Sequence, residues 1–329
     1  MTRPPQQVRL GYFGKIPARG DFIKAADNHA LVQLLDDWLA QVMNALTAAP
    51  RWKLNYDALP PLRFAFVGTR SRRAIAGRIE AGSDQSQRRF PFMAMSALEI
   101  DDADSFVVCS PLVLAPLWNS CERLSAGILA SAEPGPALLA LAGNVLEIDP
   151  GAACHAAQLA GFLQTHTLHA LQAMLASPAF PVTVRELLLG LGLLLRPVRS
   201  NSMSGRPCLE KSLVLPLPRD ARQREVVASF WLHLVTPFLR QAEFELALFF
   251  AHVDEAPVLV IGFCGADPHT LRALIDPQAA SERLIVFDQL DWVDGQLEQD
   301  AALRRLSSCL QQEQLSLRSA CAMFMDAFA

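Results

Sequence analysis

The chain lacks most of the short motifs on which chemistry depends. Its seven cysteines, Cys109, Cys121, Cys154, Cys208, Cys264, Cys309 and Cys321, include no C-x-x-C pair, which argues against a structural zinc site. Their odd number and scattered spacing argue against a disulfide framework. Their apolar surroundings predict mostly buried, reduced thiols of a cytosolic protein. There is no H-E-x-x-H motif. His166 and His169, three apart on an expected helix, have no third ligand in view, so neither a metal nor a cofactor is expected. Ser110 and Ser125 lie in no G-x-S-x-G elbow, and Cys208 has no nucleophile signature around it. Basic residues form no stripe and the formal net charge is -4, so no nucleic-acid partner is expected. The densest basic patch, Arg70 to Arg73, reads as a hairpin tip. No apolar run approaches the ~20 residues of a bilayer span. The most lipid-like stretch, Leu187 to Leu195, is too short. The N-terminus lacks the apolar core of a signal peptide. A cytoplasmic protein without membrane insertion is the expectation.

What the chain has is bulk and pattern. It has 329 residues, 51% hydrophobic and 19% charged, enough for about two domains at ~150 residues each. "VRLGYFGK" predicts a first strand. "DNHALVQLLDDWLAQVMNAL" predicts a helix with Leu31, Leu34, Leu35, Trp38, Leu39, Val42 and Leu46 on its apolar face, capped by Asp27 or Asn28. Three strands over residues 60–68, 74–82 and 88–100 and a helix from Ser110 complete a first α/β unit. Prolines and glycines cluster after residue 132. The charge-free stretch Pro150 to Val184 reads as a pair of buried helices, and "RPVRSNSMSGRP" as a loop. A second unit follows: a strand in "LEKSLVLPLP", a helix bent at Pro237, a hairpin across "DEA", a short helix, a strand and a terminal helix from about Gln299. The expected organisation is therefore an N-terminal α/β domain over 1–135, a helical connecting segment over 136–200 and a smaller α/β unit over 201–329.

Between the first strand and first helix stands "GYFGKIPARGDFIKAAD". It is no Walker A loop. Arg9 stands where the first glycine is needed, and Ile16 where a magnesium-binding hydroxyl is needed. Gly11, Gly14 and Gly20 also miss the G-x-G-x-x-G spacing. What remains is geometry: Gly14 and Gly20 permit positive φ and Pro17 fixes its own. Lys15, Arg19 and Asp21 would project from one rim. A second dense stretch, "SDQSQRRFPF", places Asp84 and Arg88 before a strand. An enzymatic alternative, a hydrolase or phosphate-ligand enzyme, would use the charged rim of residues 11–22 and 82–91. It would set Lys15, Asp21, Asp84 and Arg88 around a deep pocket. A protein-binding regulator would pair them with one another.

The combination resembles a known family. The core Gly14, Lys15, Pro17, Gly20, Asp21 and Phe22, with Gly11 before it, Trp38 in "LDDWLA", then "PLRFAFVG", then Asp84, Arg88, Phe90 and Pro91, is similar to the TagF (ImpM) family of type VI secretion accessory proteins over residues 8 to about 125. Gln87 stands where that family commonly has glycine, Gly82 where it has serine, and Arg89 where it has an aromatic residue. Residues 201–329 resemble the C-terminal extension of longer members only loosely. The resemblance implies a three-layer α/β/α fold around a central sheet. It also implies a bacterial, cytoplasmic, non-enzymatic regulator that represses secretion-machine assembly after translation. Its implied partners are type VI secretion components, among them a forkhead-associated scaffold protein. Asp21–Arg88 and Lys15–Asp84 contacts are expected to fasten the two motifs together.

Overall fold

The computed structural model describes residues 5–70, 72–201, 209–239 and 243–328. Strands β1 (Gln6–Arg9), β2 (Gly11–Gly14) and β3 (Ile23–Ala25) precede helices α1 (His29–Leu46) and α2 (Trp52–Asp57). Strands β4 (Leu62–Gly68), β5 (Arg73–Glu80) and β6 (Phe92–Glu99) lead to α3 (Ala103–Ser125), α4 (Gly135–Ala142) and β7 (Val145–Ile148). Helices α5 (Ala152–Thr165), α6 (Leu168–Leu175) and α7 (Val184–Asn201) follow. The rest comprises β8 (Ser212–Pro216), α8 (Arg224–Val235), β9 (Glu245–Val253), β10 (Ala256–Gly262), α9 (Pro268–Ile275), α10 (Pro277–Arg283), β11 (Leu284–Val286), α11 (Asp291–Gln299), α12 (Ala301–Leu310) and α13 (Leu317–Phe328).

Nine of these strands form one sheet in the order β11-β8-β10-β9-β4-β5-β6-β2-β3. Only β11 and β8 run parallel. Alternate residues of each strand face opposite layers, as the period of two demands. On β4, Phe64 and Phe66 enter a core shared with α1, α2 and α9. Ala65 and Val67 enter another, shared with α3, α5, α7, α8 and α13. On β9 the same division separates Phe249 from Leu248 and Phe250. The expected three-layer α/β/α arrangement is therefore the fold. The bounds expected at residues 135 and 200 fall at the start of α4 and the end of α7. The strands on either side of them share the sheet, since β4 pairs with β9 from Arg63↔Phe250 to Gly68↔Glu245. Charge seals this seam: Arg63 reaches Glu225 at 2.9 Å and Glu122 at 2.7 Å.

Several local expectations need correction. The first strand is two. Chain direction breaks at Leu10, whose N–H bonds Asn144, and β1 leaves the sheet to pair with β7. Helix α1 keeps the expected face and its Asn28 cap, which accepts from Leu31 N–H at 3.0 Å, but Leu34 lies outside that face and is exposed. Helix α3 begins at Ala103, seven residues before Ser110, because Asp102 caps it. Pro111 does not stop the helix. The proline lacks the N–H that would bond Val107 O, and the Ser110 hydroxyl donates to that carbonyl at 2.8 Å. Helices α10 and α11 went unforeseen, and the single terminal helix is α12 followed by α13. The stretch 150–184 is half open to solvent, with Cys154, Gln158 and Gln164 exposed. The loop expected over 196–207 is helical to Asn201, and its remainder and Cys208 lie outside the described residues.

The cysteines divide more evenly than expected. Cys109, Cys121 and Cys321 are buried, Cys309 is intermediate, and Cys154 and Cys264 are exposed. Burial pushes the Cys121 and Cys321 thiols up to about 12. The hairpin across β9 and β10 forms as expected, with Asp254 and Glu255 both at positive φ, the geometry of a two-residue hairpin turn. Among the described residues, no helix is long and apolar enough to cross a membrane.

Candidate functional site

The two dense motifs meet at the sheet end formed by β2, β3 and β6. Residues 15–22 are not a strand-to-helix turn but the loop of the β2–β3 hairpin. Pro17 sits second in a β-turn closed by Arg19 N–H on Ile16 O at 3.1 Å. Residues 83–89 form a tight loop closed by the Ser83↔Arg89 bridge. The loops are tied through the backbone, Gln85 N–H donating to Arg19 O at 2.8 Å.

Asp84 is the hub. It is fully buried and accepts four hydrogen bonds. Ser86 N–H and Arg88 N–H donate to Oδ1 at 2.9 and 3.0 Å. Lys15 Nζ and Arg88 Nε donate to Oδ2 at 2.9 and 2.7 Å. Burial alone would raise the carboxyl's pKa. The Arg88 N–H, the Lys15 ammonium and the Arg88 guanidinium outweigh it and hold the group well below the usual carboxylate range. Lys15 is therefore no rim residue. It is 7% exposed, and its ammonium also lies 4.7 Å from the centroid of the Phe22 ring.

Of the two expected fastenings, Lys15–Asp84 forms and Asp21–Arg88 does not. Arg88 turns to Asp84 and sends Nη2 to Gly20 O at 2.9 Å. The exposed Asp21 accepts from its neighbour's Phe22 N–H at 2.8 Å, a local turn bond that keeps its charge at the surface.

Glycine geometry lets the strands close in. Gly14 has φ +133°, and a Cβ there would stand 2.0 Å from Pro91 O. At Gly11 a Cβ would stand 2.8 Å from Ala25 O. Gly20 does not use positive φ, and a Cβ there would meet nothing nearer than Gln85 Oε1 at 3.8 Å. Gly82 is sealed: a Cβ would fall 2.4 Å from Lys15 O. Gln87 holds φ +61°, the left-handed region that favours glycine.

Beside this hub lies an aromatic triad. Phe13 stacks on Phe22 with centroids 5.5 Å apart, and Phe90 meets both rings edge-on. Phe13 and Phe90 are buried, whereas Phe22 is 43% exposed. Trp38 is not part of the site. It is buried against Phe64, Phe66 and Phe249, with its indole N–H donating to Asp267 O at 3.3 Å.

Two partners escaped the sequence reading. Tyr56 on α2 clasps Gly82, and Arg89 makes a bidentate pair with Asp57 at 2.8 and 2.6 Å. Arg89 standing in place of an aromatic was the available signal for the second. His166 and His169 lie on either side of Thr167, not on one helix. Among the described residues no group of three potential ligands could hold a metal ion. Neither of two described cavities, one beside His169 and one beside β11, is lined by a motif residue.

Residues 11–143 match the family model of the TagF N-terminal domain, described as type VI secretion system-associated. Among solved structures, the chain is similar to PA0076 from Pseudomonas aeruginosa PAO1, with 24% identity and a TM-score of 0.37. That similarity covers 43% of this chain and 64% of the other, so less than two thirds of that relative is spanned. Comparison with curated proteins gives no match.

Proposed function

We propose that this type VI secretion-associated protein is a cytoplasmic regulator that works by binding protein, restraining assembly of the secretion machine after translation, with a forkhead-associated scaffold as its partner. The observation that carries this reading is the division of labour within the motifs. Lys15, Asp84 and Arg88 bond to one another and to the backbone of the two loops, with Lys15 and Asp84 buried and Arg88 exposed above them. Arg19, Asp21 and Phe22 remain at the surface on a backbone that those bonds hold stiff. A buried carboxylate with four donors is poorly placed to exchange protons near neutral pH. A fixed loop presenting two charges and an aromatic ring suits recognition, because little ordering entropy is lost on docking.

The test is affinity capture from the native cytoplasm, comparing wild type with an Asp21→Ala/Phe22→Ala variant of unchanged melting temperature. Recovery of the forkhead-associated scaffold by wild type and its loss with the variant is expected. Absence of every secretion component from the wild-type sample would overturn the reading.

A further inference from the structure

Arg88 is held at two points and spends only part of its donor set. Nε donates to Asp84 Oδ2 at 2.7 Å and Nη2 to Gly20 O at 2.9 Å. A guanidinium carries five N–H groups, so the others of Arg88 have no partner among the described residues. The side chain is 61% exposed. Its outer fork is thus fixed in place and open to solvent, the arrangement that takes a carboxylate in bidentate fashion. An aromatic ring stands close by. Lys15 Nζ lies 2.9 Å from the same Asp84 oxygen and 4.7 Å from the centroid of Phe22. Phe13 and Phe90 set the position of that ring by packing, yet Phe22 stays exposed. The surroundings are basic. Across residues 15–22 and 83–89, Lys15, Arg19, Arg88 and Arg89 stand against Asp21 and Asp84, in a chain of formal net charge -4. Arg19 is exposed, and its carbonyl accepts from Gln85 N–H of the Arg88 loop. Lys53, exposed on α2, extends the positive surface beyond Arg89: the Asp57 carboxyl is held below its usual range by the Arg89 guanidinium and then by the Lys53 charge. Asp21 is the one exposed carboxylate of the two loops.

We propose that Arg88 and Phe22 together form the anchor of the rim, and that they read an acidic side chain beside an aromatic or aliphatic one in an acidic segment of a partner protein. The inference rests on the reading of the rim as a protein-binding surface and names the chemistry of what binds there. The partner's carboxylate takes the outer fork of Arg88, its apolar neighbour covers the Phe22 ring, and Arg19 and Lys53 draw in further acidic residues. Asp21 selects a polypeptide over a uniform polyanion. A phosphate backbone or an anionic membrane would meet it with like charge, whereas a polypeptide can set a neutral residue against it.

The test uses the full chain and a fluorescein-labelled peptide with a phenylalanine between two pairs of glutamates, followed by anisotropy. The controls are the same peptide with lysine for glutamate, a labelled single-stranded oligothymidine and phosphatidylserine vesicles. Saturable binding of the glutamate peptide alone is expected, weakening as salt rises. Arg88→Lys keeps a cation against Asp84 but loses the fork, and should weaken binding about tenfold. The surface double variant Arg19→Ala/Lys53→Ala, which disturbs no listed bond of the hub, should weaken it about threefold to tenfold. Phe22→Ala should weaken it about tenfold. Equal binding of the lysine peptide, the oligonucleotide or the vesicles, no binding of the glutamate peptide, or indifference to all three variants overturns the proposal. The outcome is separable from that of affinity capture. Peptide binding without recovery of any secretion component would sink the regulator reading and leave the anchor standing. Recovery of the scaffold without peptide binding would do the reverse.

Discussion

The hydroxyl of Tyr56 donates to Gly82 O at 3.0 Å and accepts from Gly82 N–H at 2.9 Å. One atom thus closes both polar groups of a buried residue that has no room for a side chain of its own, and burial raises the phenol's pKa. Tyr56→Phe leaves the Gly82 N–H without its partner, and the Gly82 C=O with the Phe90 N–H alone. A loss of about 1–3 kcal/mol is expected, read as a lower urea midpoint at constant m-value. A change below about 0.5 kcal/mol would show that water replaces the hydroxyl.

The Asp84 hub predicts a pH signature. Its folded-state pKa is depressed, so its contribution is complete above the unfolded carboxyl value near pH ~3.9 and is lost as pH falls through the folded value. Lys15→Met removes one donor and leaves a buried carboxylate short of charge. It should lower the melting temperature clearly at pH 7, and the gap to wild type should narrow below about pH 4, where the variant's carboxyl is protonated first. A gap that is constant from pH 7 to pH 3 would mean that Lys15 acts by packing alone.

Two glycines of the same motif should respond in opposite ways. Gly14→Ala meets both a positive φ and the Pro91 carbonyl, and should cost at least ~3 kcal/mol. Gly20→Ala meets neither and should be neutral or stabilising by up to about 1 kcal/mol. Chemical denaturation of the two variants side by side decides it, and equal losses would refute the assignment.

Gln87→Gly should stabilise the fold. A left-handed non-glycine residue costs ~1–2 kcal/mol, and glycine returns ~0.5–1 kcal/mol of that through its freer unfolded chain. A gain of up to about 1 kcal/mol is expected in the urea midpoint, with the Gln87 N–H bond to Asp84 O retained. A loss would show that the glutamine side chain holds the loop.

Features that depend on neighbours in sequence were legible. The α1 stripe around Leu35, Trp38 and Leu39, the Asn28 cap and the Asp254–Glu255 hairpin all follow from local periodicity and turn chemistry. The Lys15–Asp84 pair was legible because each motif carries both signs of charge beside a strand. The choice between Asp21 and Asp84 as the partner of Arg88 was not. It turns on Asp21 bonding its neighbour's backbone, which spacing does not reveal. The split at Leu10 was hidden because β1 pairs with residues 145–148, far along the chain. The start of α3 was hidden because Pro111 reads as a break until Ser110 is seen to satisfy the freed carbonyl.

The pairing of β4 with β9 has a consequence for any attempt to isolate the matched region. Residues 11–143 expressed by themselves would lack the strand that covers Arg63 to Gly68, so a long, flat ribbon of free amides and carbonyls would be bared in the middle of what had been a continuous surface. Such a fragment should self-associate through that raw margin or precipitate, and the missing strand supplied in trans as a peptide should rescue its solubility.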